Sequence, residues 1–104
     1  MRLTLPTATV LSALVHGHVY GFEILDVTGL RPGTVYPVLR RLEEEGIVES
    51  SWERAATARA EGRPPRRNYR LTSEGERIAR EAEDRYPTLS RMFVPPPGEE
   101  PAEA

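Results

Sequence analysis

Apolar residues recur at helical spacing in four stretches of the chain, with a pair of strand-like stretches between the third and the fourth. Val10, Leu11, Leu14 and Val15 predict a helix over residues 6 to 16, with Pro6 tolerated in its first turn and Gly17 ending it. A short helix over about 20 to 27 carries Phe22, Ile24 and Leu25. The "TGL" that follows predicts a tight turn between two steeply crossed helices, with Gly29 free to take a positive φ. Val35, Val38, Leu39 and Leu42 then fall at i, i+3, i+4 and i+7 and make one stripe on a helix over 32 to 45, which Gly46 stops.

The polar side of that third helix is unusual. Stepping 100° per residue from the stripe puts Gly33, Thr34, Tyr36, Pro37, Arg40 and Arg41 on its flanks and back. Small, aromatic and cationic groups therefore occupy its exposed first turns. Beyond Gly46, "IVESSWE" and "RRNYRLT" have partial period-two patterning and predict two strands of a hairpin. Between them, "RAATARAEGRPPR" predicts a basic loop, and Trp52 is expected to pack in the core beneath the hairpin. In "LTSEGERIAREAEDRY", Ser73 with Glu76 fits a capping box and Thr72 is a rival cap. Ile78, Ala82, Tyr86, Leu89 and Phe93 continue one stripe, while Pro87 should bend or end the helix near Tyr86. The closing "PPPGEEPAEA" is acidic and proline-rich, and residues 95–104 are expected to be a disordered tail.

At 104 residues the chain is one domain with a modest core. It has no cysteine, which excludes disulfides and thiolate metal sites. The opening residues do not read as a secretory signal, and no stretch has the length of a membrane span, so a cytoplasmic protein is expected. The net charge of −2 excludes a uniformly basic nucleic-acid binder. Its distribution points the other way: all 14 basic residues are arginine, and six of them (54, 59, 63, 66, 67 and 70) share residues 54–70 with a single acid, Glu61. Arginine's planar fork suits phosphate and guanine.

Other chemistry is poorly supported. His16 and His18 flank Gly17, but residues two apart do not share a helix face and no metal is expected. Glu23 with Asp26, and the acids at 43 to 45, have no nucleophile or phosphate loop beside them, so no catalytic residues and no cofactor are expected. Glu43, Glu44 and Glu45 read as a solvated helix end.

The order of helix, short helix, turn, helix and two-stranded wing is that of a winged helix-turn-helix. "YGFEI" (20–24), "TGLRPGTVYPVLRRLEEEGIVESSWE" (28–53) and "GRPPRRNYRLTSEG" (62–75) resemble the signature blocks of the PadR family of bacterial transcription regulators. The short C-terminal part resembles its compact members. The expected fold is mainly α with a small β-hairpin: a winged helix-turn-helix over 1–71, with recognition helix 32–45 and wing 47–71, then a C-terminal dimerisation helix over 72–94.

An α-helix enters the major groove only if its leading residues are short or reach base edges and phosphates, and its first N–H groups favour an anion. Gly33 and Thr34 allow close approach, and Tyr36, Arg40 and Arg41 can reach base edges or phosphate. The resemblance implies the same positions, with Pro37 among them, and adds Tyr20 and the wing arginines Arg63, Arg66 and Arg67 on the DNA backbone. His18, beside the first turn, is a further phosphate candidate. Where the family commonly has a serine-like cap, this chain has Arg31, and losing a cap costs about 1 kcal/mol. Either Arg31 is kept for DNA contact or the loop shifts and another group caps the helix.

The first and last helices carry more apolar stripe than a monomer of this size easily covers, and an exposed patch marks an interface. Leu11, Ile78, Ala82, Tyr86, Leu89, Met92 and Phe93 are the candidate dimer contacts, and the resemblance also implies a homodimer. The function expected is a sequence-specific DNA-binding regulator, a repressor on a near-palindromic operator in double-stranded DNA, with any small-molecule effector unidentified. The alternative is a winged-helix adaptor for protein partners, without specific DNA binding.

Overall fold

The computed structural model describes residues 2–93, so the expected tail over 95–104 lies outside the described residues. The elements run α1 (Leu5–Val15), α2 (Gly21–Thr28), α3 (Pro32–Glu44), β1 (Val48–Trp52), α4 (Ala55–Ala60), β2 (Arg67–Leu71), α5 (Ser73–Arg85) and α6 (Leu89–Met92). The fold is mainly helical with one antiparallel hairpin, a winged helix-turn-helix followed by a C-terminal helical segment.

α1 is the centre of the molecule. Every residue from Thr7 to Leu14 is buried, because α2, α3, β2, α5 and α6 all pack around it. Its polar residues are satisfied: Thr9 donates within the helix to the Leu5 carbonyl at 2.7 Å, and buried Ser12 donates across to Glu83 Oε2 of α5 at 2.7 Å. α2 and α3 meet at a turn pinned by Thr28, whose hydroxyl donates to the Ile24 carbonyl at 2.6 Å and accepts from the Leu30 N–H at 3.1 Å. α3 buries Val35, Val38, Leu39 and Leu42, the stripe read from the sequence.

β1 and β2 pair from Val48 with Leu71 to Trp52 with Arg67. The segment before α2 extends the sheet: the Tyr69 N–H donates to the Val19 carbonyl at 2.8 Å, and Tyr20 bridges to Asn68. α5 is capped by Thr72, which accepts from the Gly75 N–H at 3.0 Å, so the rival cap is the one used and Ser73 begins the helix. Gly75 is required there: a Cβ on it would lie 2.0 Å from the Ile47 carbonyl oxygen.

The structure corrects several expectations. The wing's connecting segment is not all loop, because Ala55–Ala60 forms α4 and buries Ala58. Trp52 is 65% exposed rather than in the core. The segment expected as one dimerisation helix over 72–94 is in two pieces: α5 stops at Arg85, where Pro87 was expected to bend or end it, and after Pro87 the chain folds α6 back against α1. That return covers Leu89 within the chain itself. Leu11, Ala82 and Leu89 are therefore core residues with no surface left for a partner, since α1 and α5 bury these side chains against each other and against α6. Ile78, Tyr86 and Phe93 are half-buried against the same core, and Met92 is exposed.

Candidate nucleic-acid interface

α3 presents its first turns to solvent. Arg31, Pro32, Gly33, Tyr36, Pro37, Arg40 and Arg41 are exposed and Thr34 is half-buried, all opposite or beside the buried stripe. No side chain caps the helix. The Thr34 and Val35 N–H groups donate to Arg31's own carbonyl at 2.9 and 3.0 Å, so the loop does not bring in another cap and the Arg31 side chain stays outside. Pro32 removes one orphan donor at the helix mouth, Pro37 leaves the Gly33 carbonyl without its helical N–H partner, and Gly33 keeps the first turn free of side-chain bulk.

Tyr36 leaves the helix toward the start of α2. A Cβ on Gly21 would fall 2.6 Å from both Cε1 and the hydroxyl oxygen of Tyr36, so the bare Gly21 backbone is the bed on which the ring lies. The tyrosine is still 43% exposed. Glu23 fixes the entry to α2 by accepting from the Val19 and Tyr20 N–H groups at 3.2 and 3.4 Å.

The wing is arranged beside this surface by its own ion pairs. Arg63 binds Glu53 through both guanidinium arms, at 2.5 and 2.8 Å, and also reaches Glu61 at 2.8 Å. This bidentate contact and the Arg66 N–H hold the Glu53 carboxyl down from 4.5 to about 2, against the opposing effect of burial. Glu53 also donates its N–H to the Arg66 carbonyl at 2.7 Å, so the clasp closes the root of the α4 segment. Arg67 binds Glu43 at 3.2 Å and the Ser50 hydroxyl at 2.8 Å, and Ser50 itself donates to Glu43 at 2.6 Å. Glu43 is thus a tie between α3 and the wing, not part of a solvated helix end. Arg70 pairs with Glu49 at 2.8 Å. Burial pushes the Tyr69 hydroxyl above its ordinary value, with Arg67 opposing.

These pairs divide the arginines expected at DNA. Arg63 and Arg67 are bound to carboxylates, whereas Arg31, Arg40, Arg41 and Arg66 have no carboxylate partner among the described residues. Arg66 instead lies across the rings of Tyr20 and Phe22, 5.5 and 5.0 Å from their centroids. Tyr20, Gly21, Tyr36, Arg66 and Arg67 border one shallow cavity of about 260 Å³ with Phe22, Trp52 and Tyr69. His18 belongs elsewhere: its ring is 5.8 Å from that of Phe93, beside His16.

Sequence reasoning missed Phe22, Glu43 and Glu53. The two acids are paired across elements, and only the three-dimensional path of the wing shows their partners. For Phe22 a signal existed, two aromatic residues at 20 and 22 around a glycine. Among the described residues, no group of three His, Asp or Glu is placed to hold a metal, and no helix is long and apolar enough to cross a membrane.

The family described as the transcriptional regulator PadR-like family matches residues 10–81. A PadR-like transcription factor from Bacteroides fragilis is 26% identical, with a TM-score of 0.58 over 81% of this chain and 82% of that one. A PadR family regulator from Eggerthella lenta is 29% identical, with a TM-score of 0.57 over 79% and 74%. One from Clostridium difficile, at 21% identity, shares the fold with a TM-score of 0.69 over 86% and 95%. No curated protein matches.

Proposed function

The chain belongs to the PadR-like family of transcriptional regulators, a family of DNA-binding regulators and not of enzymes, and from that premise we propose that it is a sequence-specific, homodimeric repressor of transcription. Two copies related by a twofold axis present two α3 helices to successive major grooves of a near-palindromic operator, about one DNA turn apart. A dimer of this size represses by occupying DNA that polymerase needs, and it works on the chromosome in the cytoplasm.

The observation that carries this reading is the two-sided character of α3: a buried stripe of Val35, Val38, Leu39 and Leu42 behind an exposed face of Gly33, Tyr36, Arg40 and Arg41. On that face Tyr36 and Arg40 read base edges, while Arg31, Arg41 and Arg66 take phosphates. Arg63 and Arg67 serve by holding the wing in place. Val15 and Met92, large apolar side chains left exposed on α1 and α6, supply the dimer surface with Ile78, Tyr86 and Phe93.

Salt dependence tests the proposal. With three phosphate-bound arginines per protomer, the slope of log affinity against log salt should be about −5 for the dimer. Binding to duplex DNA that ignores salt would contradict it, as would wild-type affinity in Arg41→Ala.

A further inference from the structure

Phe22 is 44% exposed in the first turn of α2 and takes no part in the hydrophobic core or its partly buried margin. Folding alone gives it no reason to be a phenylalanine. Its ring stacks on that of Tyr20, with centroids 5.7 Å apart and planes 13° from parallel. The Arg66 guanidinium lies across both rings. The Arg66 backbone is fixed from the other side, its carbonyl accepting from the Glu53 N–H at 2.7 Å and its N–H donating to Glu53 Oε1 at 3.2 Å.

We propose that Tyr20 and Phe22 are positioning residues that hold the Arg66 guanidinium ordered but uncommitted, ready for a DNA phosphate; this rests on the DNA-binding reading above. The physical reason lies in what each kind of partner consumes. A carboxylate that orders an arginine also neutralises it and takes its N–H donors, which is the condition of Arg63 and Arg67. An aromatic face attracts the cation through its quadrupole and takes none of the five in-plane donors. Arg66 is therefore restrained in its side-chain freedom before DNA arrives, yet keeps its charge and hydrogen-bonding edge. Arg67 shows the contrast: it too lies over rings, 5.7 Å from Trp52 and 5.8 Å from Tyr69, but Glu43 has already bound it. Arg66 alone in this part of the wing has the stack without the acid.

The test is equilibrium binding of the full chain to a duplex that the wild type binds, with salt titration, for Phe22→Ala, Phe22→Leu, Phe22→Tyr, Arg66→Ala and the double variant Phe22→Ala/Arg66→Ala. Arg66→Ala should weaken binding about tenfold and make the salt slope shallower by about 2 for a dimer. Phe22→Ala should weaken it about fivefold with the slope unchanged, because the phosphate contact still forms from a less ordered arginine. Phe22→Tyr should restore affinity and Phe22→Leu, apolar but without a π face, should not. The double variant should bind like Arg66→Ala alone. Wild-type binding by Phe22→Leu, or losses that multiply in the double variant, would overturn the positioning role while leaving DNA binding intact. In the free protein, the Arg66 Hδ resonances should be shifted by the rings and lose that shift in Phe22→Ala. Failure of the wild type to bind any duplex, with that shift present, would overturn the DNA-binding reading and the role of Arg66 in it, but not the stack.

Discussion

Gly21 and Gly75 are positions where a single methyl group decides the outcome, and they predict different failures. At Gly75 the obstacle is the Ile47 carbonyl, fixed backbone that also accepts the Thr72 N–H at 3.1 Å. Gly75→Ala should lower stability by roughly 2–3 kcal/mol, measured by urea unfolding. At Gly21 the obstacle is the end of the Tyr36 side chain, which can swing away. Gly21→Ala should cost little stability but displace the tyrosine, and DNA affinity should fall. Tyr36→Phe isolates the hydroxyl: a loss of about 1 kcal/mol of binding with relaxed preference at one base pair is expected if it reads a base edge. Comparing the binding-site preferences of the two proteins checks this. The tyrosine was legible in the sequence as a residue off the apolar stripe; its bed on Gly21 was not, because it joins residues fifteen apart on different helices.

At the scale of elements, the wing depends on its acids. Glu53 has a folded-state pKa of about 2 against an ordinary 4.5. Its contribution to stability is therefore complete above 4.5 and is lost as pH falls toward 2. The fluorescence of neighbouring Trp52 should report loosening of the wing in that interval, and Glu53→Gln should lack this component. The helices were legible because their faces are periodic and one side is buried, as with Val35, Val38, Leu39 and Leu42. The α4 segment was not: six residues make a marginal helix, and the Arg63–Glu53 clasp at its root joins residues ten apart that nothing local in the sequence pairs. Trp52 was misplaced for a related reason. Alternation puts it on the same face as buried Val48, but it sits at the far end of β1, opposite Arg67, where no element of the core covers it. Pro87 announced a break, yet nothing local showed that α6 would return to α1 and take Leu89 into the core.

At the scale of the molecule, an acidic chain carries a cationic face because its acids are distributed by structure. Glu43, Glu49, Glu53 and Glu61 are spent on wing arginines, and Glu74 and Glu81 on Arg77 of α5. Among the described residues, Arg31, Arg40, Arg41 and Arg66 are left without a carboxylate partner at α3 and the adjoining wing, beside exposed Tyr36, while other unpaired arginines, Arg54, Arg59 and Arg80 among them, are spread over the rest of the chain. The surface proposed for dimerisation is smaller than the sequence suggested, since Leu11, Ala82 and Leu89 are buried within the chain itself. Met92→Glu should therefore raise the dimer dissociation constant without unfolding the chain, checked by sedimentation across a concentration series. Sequence-specific recognition by a twofold dimer is tested by selection of binding sites from random duplex DNA at near-physiological salt, with protein of confirmed mass in solution. Recovery of a near-palindrome with half-sites about one helical turn apart is the predicted result. A folded dimer that enriches no sequence, or a monomer that enriches a single half-site, would contradict it.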